Sequence, residues 1–159
     1  MALASDKNDF GAMDDLYREV ILDHYRDPLG RAPIESANVH SEGLNPVCGD
    51  ECQVEARVAN GKLEALQVAG RGCSISVASG SILAQLATGR TVAEVERLIE
   101  IFRRMMHGEA PPEDVDLGDL EVLAGIKDFP VRVKCALLAW KTLEGGISGQ
   151  QDHITTEES

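Results

Sequence analysis

Basic residues, cysteines and long apolar runs are all scarce in this chain, and each scarcity removes a class of function. Lysine and arginine number 15 against 27 aspartates and glutamates, a formal net charge of −12. A field of that sign repels polyphosphate, so nucleic acid is not an expected partner, whereas a basic protein patch is favoured. No apolar run approaches the ~20 residues of a membrane helix, and no membrane role is expected. The opening stretch, residues 1–15, is acidic and lacks the basic head and apolar segment of a signal peptide, which points to the cytoplasm. There are only four cysteines in 159 residues, Cys48, Cys52, Cys73 and Cys135. A chain of this length builds a core without covalent staples. In a reducing compartment a handful of cysteines more often serves metal or catalysis than disulfides. No repeat and no compositional break marks a second domain.

What is present reads as one small α+β domain, an antiparallel β-sheet flanked by helices, over residues 13–145, between flexible tails at 1–12 and 146–159. From Met13, Leu16 with Val20 and Tyr17 with Ile21 and Tyr25 recur at helical spacing until Asp27-Pro28 and Gly30 end the pattern. Residues 28–47 read as a long ordered loop. Cys52 to Val58 alternates polar and apolar positions as a half-buried strand does. Asn60-Gly61 is a tight-turn signal, and Leu63 to Val68 returns as the second strand of a hairpin. An isolated hairpin is only marginally stable, so a third strand is expected, within residues 36–45. A helix is expected from Ile75 to about Thr88. Thr91 with Glu94 forms a capping box for the next, whose stripe of Val95, Leu98, Ile99, Phe102 and Met106 is core packing. Residues 109–118 break the pattern, a helical piece follows at Leu120 to Ile126, and Pro130 suits the first turn of a last helix ending at Gly145-Gly146.

Three of the cysteines have distinctive surroundings. In Asn45-Pro46-Val47-Cys48-Gly49-Asp50 a stiff approach and a sharp turn aim a thiolate and a carboxylate at one point, an acceptable ligand pair for zinc or iron. The plain alternative is a turn with an incidental cysteine. In Gly70-Arg71-Gly72-Cys73-Ser74-Ile75-Ser76 the cysteine precedes a helix, whose N-terminal amides favour thiolate; equally, Ser74 or Ser76 could be the cap, without using the sulfur. In Arg132-Val133-Lys134-Cys135-Ala136-Leu137-Leu138 the cysteine is one turn into the last helix with Arg132 on its face, so a guanidinium is expected to favour its thiolate; alternatively Cys135 packs among Leu137, Leu138 and Trp140. The gaps of 25 and 62 positions between these cysteines are unlike the paired spacing of a zinc finger.

These segments, together with Leu16 to Tyr25 and Val131 to Trp140, resemble the SufU branch of the IscU and NifU N-terminal family, from about Asp15 to Leu143. The resemblance implies an antiparallel sheet flanked by helices (the SufE/NifU-like fold) and a metal held by Cys48, Asp50, Cys73 and Cys135. It further implies that the metal is zinc and that Cys48 accepts persulfide sulfur. The donor would be a SufS-like cysteine desulfurase, and the sulfur would pass on to downstream cluster-assembly proteins. The IscU branch instead builds an iron–sulfur cluster on the corresponding ligands. That branch carries histidine immediately before the last cysteine, where this chain has Lys134, a poor ligand while protonated. Residues about 104–125 also look like the extra segment of the SufU branch.

The resulting expectation is a sulfurtransferase-type carrier, with a non-enzymatic cluster scaffold as the alternative and a structural zinc module without sulfur chemistry as the second. Arg132 and Lys134 are auxiliary candidates at the site. Cys52 departs from the family pattern; it is either a further thiol at the site or a buried packing residue, and the burial preference of cysteine favours packing. His24, His40, His107 and His153 are poorer ligand candidates.

Overall fold

The computed structural model describes residues 15–149 and 154–156. Helix α1 (Asp15–Arg26) leads into three strands, β1 (Val39–Asn45), β2 (Asp50–Ala59) and β3 (Lys62–Arg71). Helices α2 (Ser74–Ala87) and α3 (Val92–Met106), a 3-10 segment (Gly118–Asp128), helix α4 (Pro130–Ile147) and a two-residue strand β4 (Ile154–Thr155) complete the order. The α+β architecture and the helices flanking the sheet are as the sequence implies. The sheet runs β3-β2-β1-β4, antiparallel through its first three strands.

The expected third strand is β1, filling the end of what reads as loop in the sequence. The hairpin turn is Asn60-Gly61, both at positive φ, which matches the twist of the strands it joins. Cys52, Val54 and Ala56 of β2 and Leu63, Leu66 and Val68 of β3 are buried under α2 and α4. The capping box of Thr91 and Glu94 is formed, and the expected apolar stripe of α3 is buried. Phe102 on that stripe meets Trp140 of α4, with ring centroids 4.6 Å apart.

Four details differ from expectation. The segment at Leu120 to Ile126 is 3-10 rather than α, although Leu120, Leu123 and Ile126 are fully buried. On α1, Leu16, Tyr17 and Tyr25 face solvent while Ile21, Leu22 and His24 are buried. Gly145-Gly146 does not stop α4, which continues to Ile147. A Cβ on Gly146 would sit 2.7 Å from Ser41 Oγ and 2.9 Å from Val39 Cγ1, so this glycine admits close helix–strand contact. Finally, the stretch 146–159 is not a tail throughout. Ile154–Thr155 adds a parallel strand to β1 at Gly43 and Leu44, which makes the sheet mixed, and Ile154 and Thr156 are buried. The expected tail at 1–12 lies outside the described residues. Among the described residues no helix is long and apolar enough to cross a membrane.

Helices α2 and α4 are joined by buried polar contacts as well as by apolar ones. Ser79 Oγ donates to the Ala136 carbonyl at 2.6 Å and accepts from Trp140 Nε1 at 2.9 Å. Ser41 Oγ ties β1 to the Thr142 carbonyl of α4 at 2.8 Å. This seam fixes the start of α2 against the first turns of α4. Replacing Ser79 with Ala leaves the indole N–H without its partner, and an orphaned buried donor costs about 1–3 kcal/mol. Urea unfolding of metal-free protein, followed by the fluorescence of Trp140, is expected to show that loss; an unchanged midpoint would contradict the role given to this seam.

Candidate metal centre

The site lies where the β1–β2 turn, the start of α2 and the first turns of α4 meet. Pro46 and Val47 carry the chain into a turn closed by a hydrogen bond from Gly49 N to the Asn45 carbonyl at 2.8 Å. Gly49 sits at φ +74°, and Cys48 is exposed at the tip. Asp50 begins β2 and is wholly buried. Cys135 is buried on α4. One ligand atom each from Cys48, Asp50 and Cys135 all lie within 4.8 Å of one another.

Asp50 is held from two sides. Its Oδ1 accepts the backbone N–H of Cys73 at 3.0 Å, and its Oδ2 accepts from Asn45 Nδ2 at 2.9 Å. Each oxygen keeps a second lone pair for an ion. A Cβ at position 72 would overlap Asp50 Oδ1 and approach its Cγ to 2.9 Å, so only glycine leaves room for the carboxylate there. Asn45 is fully buried and also donates from Nδ2 to Cys135 Sγ at 3.4 Å.

Cys73 is the N-cap of α2 itself. Its sulfur accepts from Ser76 N at 3.5 Å, which corrects the reading in which a serine caps the helix and the sulfur is idle. Cys73 is not in the closest cluster of three, but its thiol and that of Cys135 are near enough to shift each other's ionisation. The neighbouring Cys135 thiol, with help from the Ser76 amide and the Arg132 guanidinium and against the cost of burial, lowers the Cys73 thiol from 9.0 to about 7. Cys135 moves the opposite way: the neighbouring Cys73 thiol, then burial, then the Asp50 carboxylate hold its proton on, and its Sγ donates to the Val131 carbonyl at 3.7 Å. The Arg132 guanidinium, expected to favour thiolate at Cys135, favours it at Cys73.

Cys52 stands apart. It is buried in the core beneath β2, and desolvation pushes its thiol up to about 12. Lys134 lines a groove with Pro130, Val133, Leu137 and Lys141 on another stripe of α4. His24 is a structural residue. Its Nδ1 is 2.7 Å from Ser81 Oγ and its Nε2 is 2.8 Å from Asp119 Oδ2, which ties α1 to α2 and to the 3-10 segment. His40 is exposed beside Glu55, and the His107 ring bonds the Arg103 carbonyl at the end of α3. His153 lies outside the described residues. The residue that sequence reasoning passed over is Asn45. Its place three residues ahead of the turn thiol was the available signal, since a buried amide beside a carboxylate must have partners.

A profile of the NifU-like N terminal domain matches residues 16–136. The chain belongs to the NifU-like N-terminal domain family. Within it, the chain is 37% identical over 139 residues to the zinc-dependent sulfurtransferase SufU of Bacillus subtilis, spanning 87% of this chain and 94% of that one. It is 38% identical over 129 residues to the iron–sulfur cluster assembly scaffold protein IscU of Thermotoga maritima, spanning 81% and 90%. The fold superposes on the crystal structure of a cluster assembly scaffold protein for the SUF system from Fervidobacterium islandicum with a TM-score of 0.76 at 34% identity, over 81% of this chain and 94% of that one.

The donor chemistry fits zinc. Bonds of about 2.3 Å to sulfur set tetrahedral donors about 3.8 Å apart, so a cluster already within 4.8 Å needs little contraction. The Asp50 carboxylate raises both Cys73 and Cys135, so the empty-handed donors repel one another and a cation relieves that repulsion. In metal-free protein, alkylation of Cys73 followed residue by residue with mass spectrometry is expected to rise with pH through a midpoint near 7, while Cys52 stays unmodified until the chain unfolds. A Cys73 midpoint at the ordinary 9.0 would contradict this arrangement.

Proposed function

We propose that this protein is a zinc-dependent sulfur carrier that takes persulfide sulfur from a cysteine desulfurase for iron–sulfur cluster assembly. The observation that carries the reading is the contrast among the four thiols. Cys48 alone is exposed, while Cys73 is half-buried and Cys52 and Cys135 are buried. A sulfur acceptor must reach into another protein's active site, and a thiol on the tip of a turn has that reach. Leu44 and Val47 beside the turn and Val131 at the start of α4 are exposed apolar residues that suit a docking surface. The Bacillus subtilis relative, a zinc-dependent sulfurtransferase, agrees with this role.

Cys48, Asp50, Cys73 and Cys135 are the residues that would hold zinc. When bound, the ion keeps thiols deprotonated and oriented, and it needs no redox activity of its own. In the transfer, the Cys48 thiolate forms a bond to the terminal sulfur of the desulfurase persulfide. The S–S bond of that persulfide breaks, and its electron pair leaves on the desulfurase cysteine as thiolate. The terminal sulfur keeps its proton and now ends a persulfide on Cys48. One thiolate is consumed and one released, so no outside oxidant or reductant is needed. The reaction belongs to a reducing cytoplasm, where Cys48 stays a free thiol.

The scaffold role is the second reading, favoured by the identity to the Thermotoga maritima relative. It predicts visible absorbance after anaerobic purification, whereas the zinc protein is colourless. For the carrier, Cys48→Ala is expected to reduce stimulation of a partner desulfurase to the level without the protein, and to abolish the gain of one sulfur atom on the chain. Cys52→Ala is expected to keep both. Undiminished stimulation by Cys48→Ala would overturn the reading.

A further inference from the structure

The buried Asn45 side chain is used at both ends. Its Nδ2 faces Asp50 Oδ2 at 2.9 Å and Cys135 Sγ at 3.4 Å, both acceptors when ionised. Its Oδ1 accepts the hydroxyl of Thr156 at 3.0 Å. Thr156 is buried, three residues from the end of the sequence, and its backbone N bonds the Leu44 carbonyl at 3.3 Å. It is held there by β4, which pairs in parallel with β1 immediately before Asn45.

We propose that Asn45 is a positioning residue that orients Asp50 and Cys135 toward the metal, and that the C-terminal segment Ile154–Thr156 completes the site by fixing the orientation of its amide.

The argument is one of donor and acceptor matching. A carboxamide presents two donors at one end and an acceptor at the other. Turned over, Asn45 would aim its oxygen at the Asp50 carboxylate, acceptor against acceptor, and likewise at the Cys135 sulfur once that is the thiolate a metal needs, in a buried site where the mismatch is not relieved by water. The Thr156 hydroxyl gives that oxygen a donor on the opposite side, so the productive orientation satisfies every group. The same hydrogen bonds divide the donors functionally. Asp50 and Cys135 are braced through one amide, while Cys48 remains exposed at the turn. A carrier needs that division, because the thiol that receives sulfur has to move while the others keep hold. Residues that hydrogen-bond metal ligands typically contribute about 10–100-fold to metal affinity.

This inference rests on the zinc-site reading above, and the test separates the two. Zinc affinity of the full chain is measured by competition with a chromophoric chelator, and the ligand field by cobalt(II) substitution. Thr156→Val keeps the shape and removes the hydroxyl; Thr156→Ser keeps the hydroxyl. The valine variant is expected to bind zinc about 10–100-fold more weakly and to give an altered cobalt spectrum, and the serine variant to behave as wild type. Asn45→Leu is expected to weaken binding at least as much. A valine variant whose metal-free form unfolds earlier, but which binds zinc and cobalt as wild type does, would show a purely structural threonine and overturn the inference. If the wild-type chain itself fails to hold zinc, the parent reading falls and takes this inference with it, a result distinguishable because no variant is needed to see it.

Discussion

The buried carboxylate of Asp50 is the interaction on which the rest of the site depends. A charge with no solvent contact must be met by hydrogen bonds or by an ion, or it does not remain a charge. Here one oxygen takes the backbone N–H of Cys73 and the other takes the Asn45 amide. Those two bonds tie the end of β1, the start of β2 and the start of α2 into one unit. Asn45 then extends it to Cys135 on α4. Three parts of the chain that are distant in sequence thus share one hydrogen-bonded carboxylate. Gly72, by having no side chain, leaves the space in which this happens.

The electrostatics follow from that packing. Cys73 and Cys135 shift each other in opposite directions, so in metal-free protein one is thiolate-prone and the other keeps its proton. The proton stands in for part of the charge that a divalent cation would supply. A zinc ion held by these residues would take the place of that proton, which would couple its affinity to pH and to folding. Around this centre buried hydrogen bonds join the elements: the Ser79, Trp140 and Ala136 contacts tie α2 to α4, and Ser41 ties β1 to α4. The thiol at the tip of the turn is the exposed member of the set. A rigid base with one outward-facing donor suits a protein that hands over a sulfur atom while keeping its ion.

Much of the architecture is legible in local sequence because its signals are local. Asn60-Gly61 dictates its turn, Thr91 and Glu94 their cap, and the stripe from Val95 to Met106 its buried face. The cysteine contexts pointed to a shared centre for a similar reason, since turn and helix-start chemistry is written within a few residues. Long-range partners were less readable. No spacing rule announces that Thr156 reaches Asn45 across 111 positions, or that His24 and Asp119 meet across 95. Gly145-Gly146 looked like a helix stop because glycine usually ends helices, and only the approach of Ser41 and Val39 explains why it continues one. Arg132 sits one turn from Cys135, yet it is at Cys73, on another helix, that its charge favours thiolate.

The convergence of Cys48, Asp50, Cys73 and Cys135 on one ion is the central claim, and X-ray absorption at the zinc edge of the purified protein tests it directly. The account predicts a four-coordinate ion with three sulfur neighbours at about 2.3 Å and one oxygen at about 2.0–2.2 Å. A shell with fewer than three sulfurs, or one filled by nitrogen and water, would contradict it.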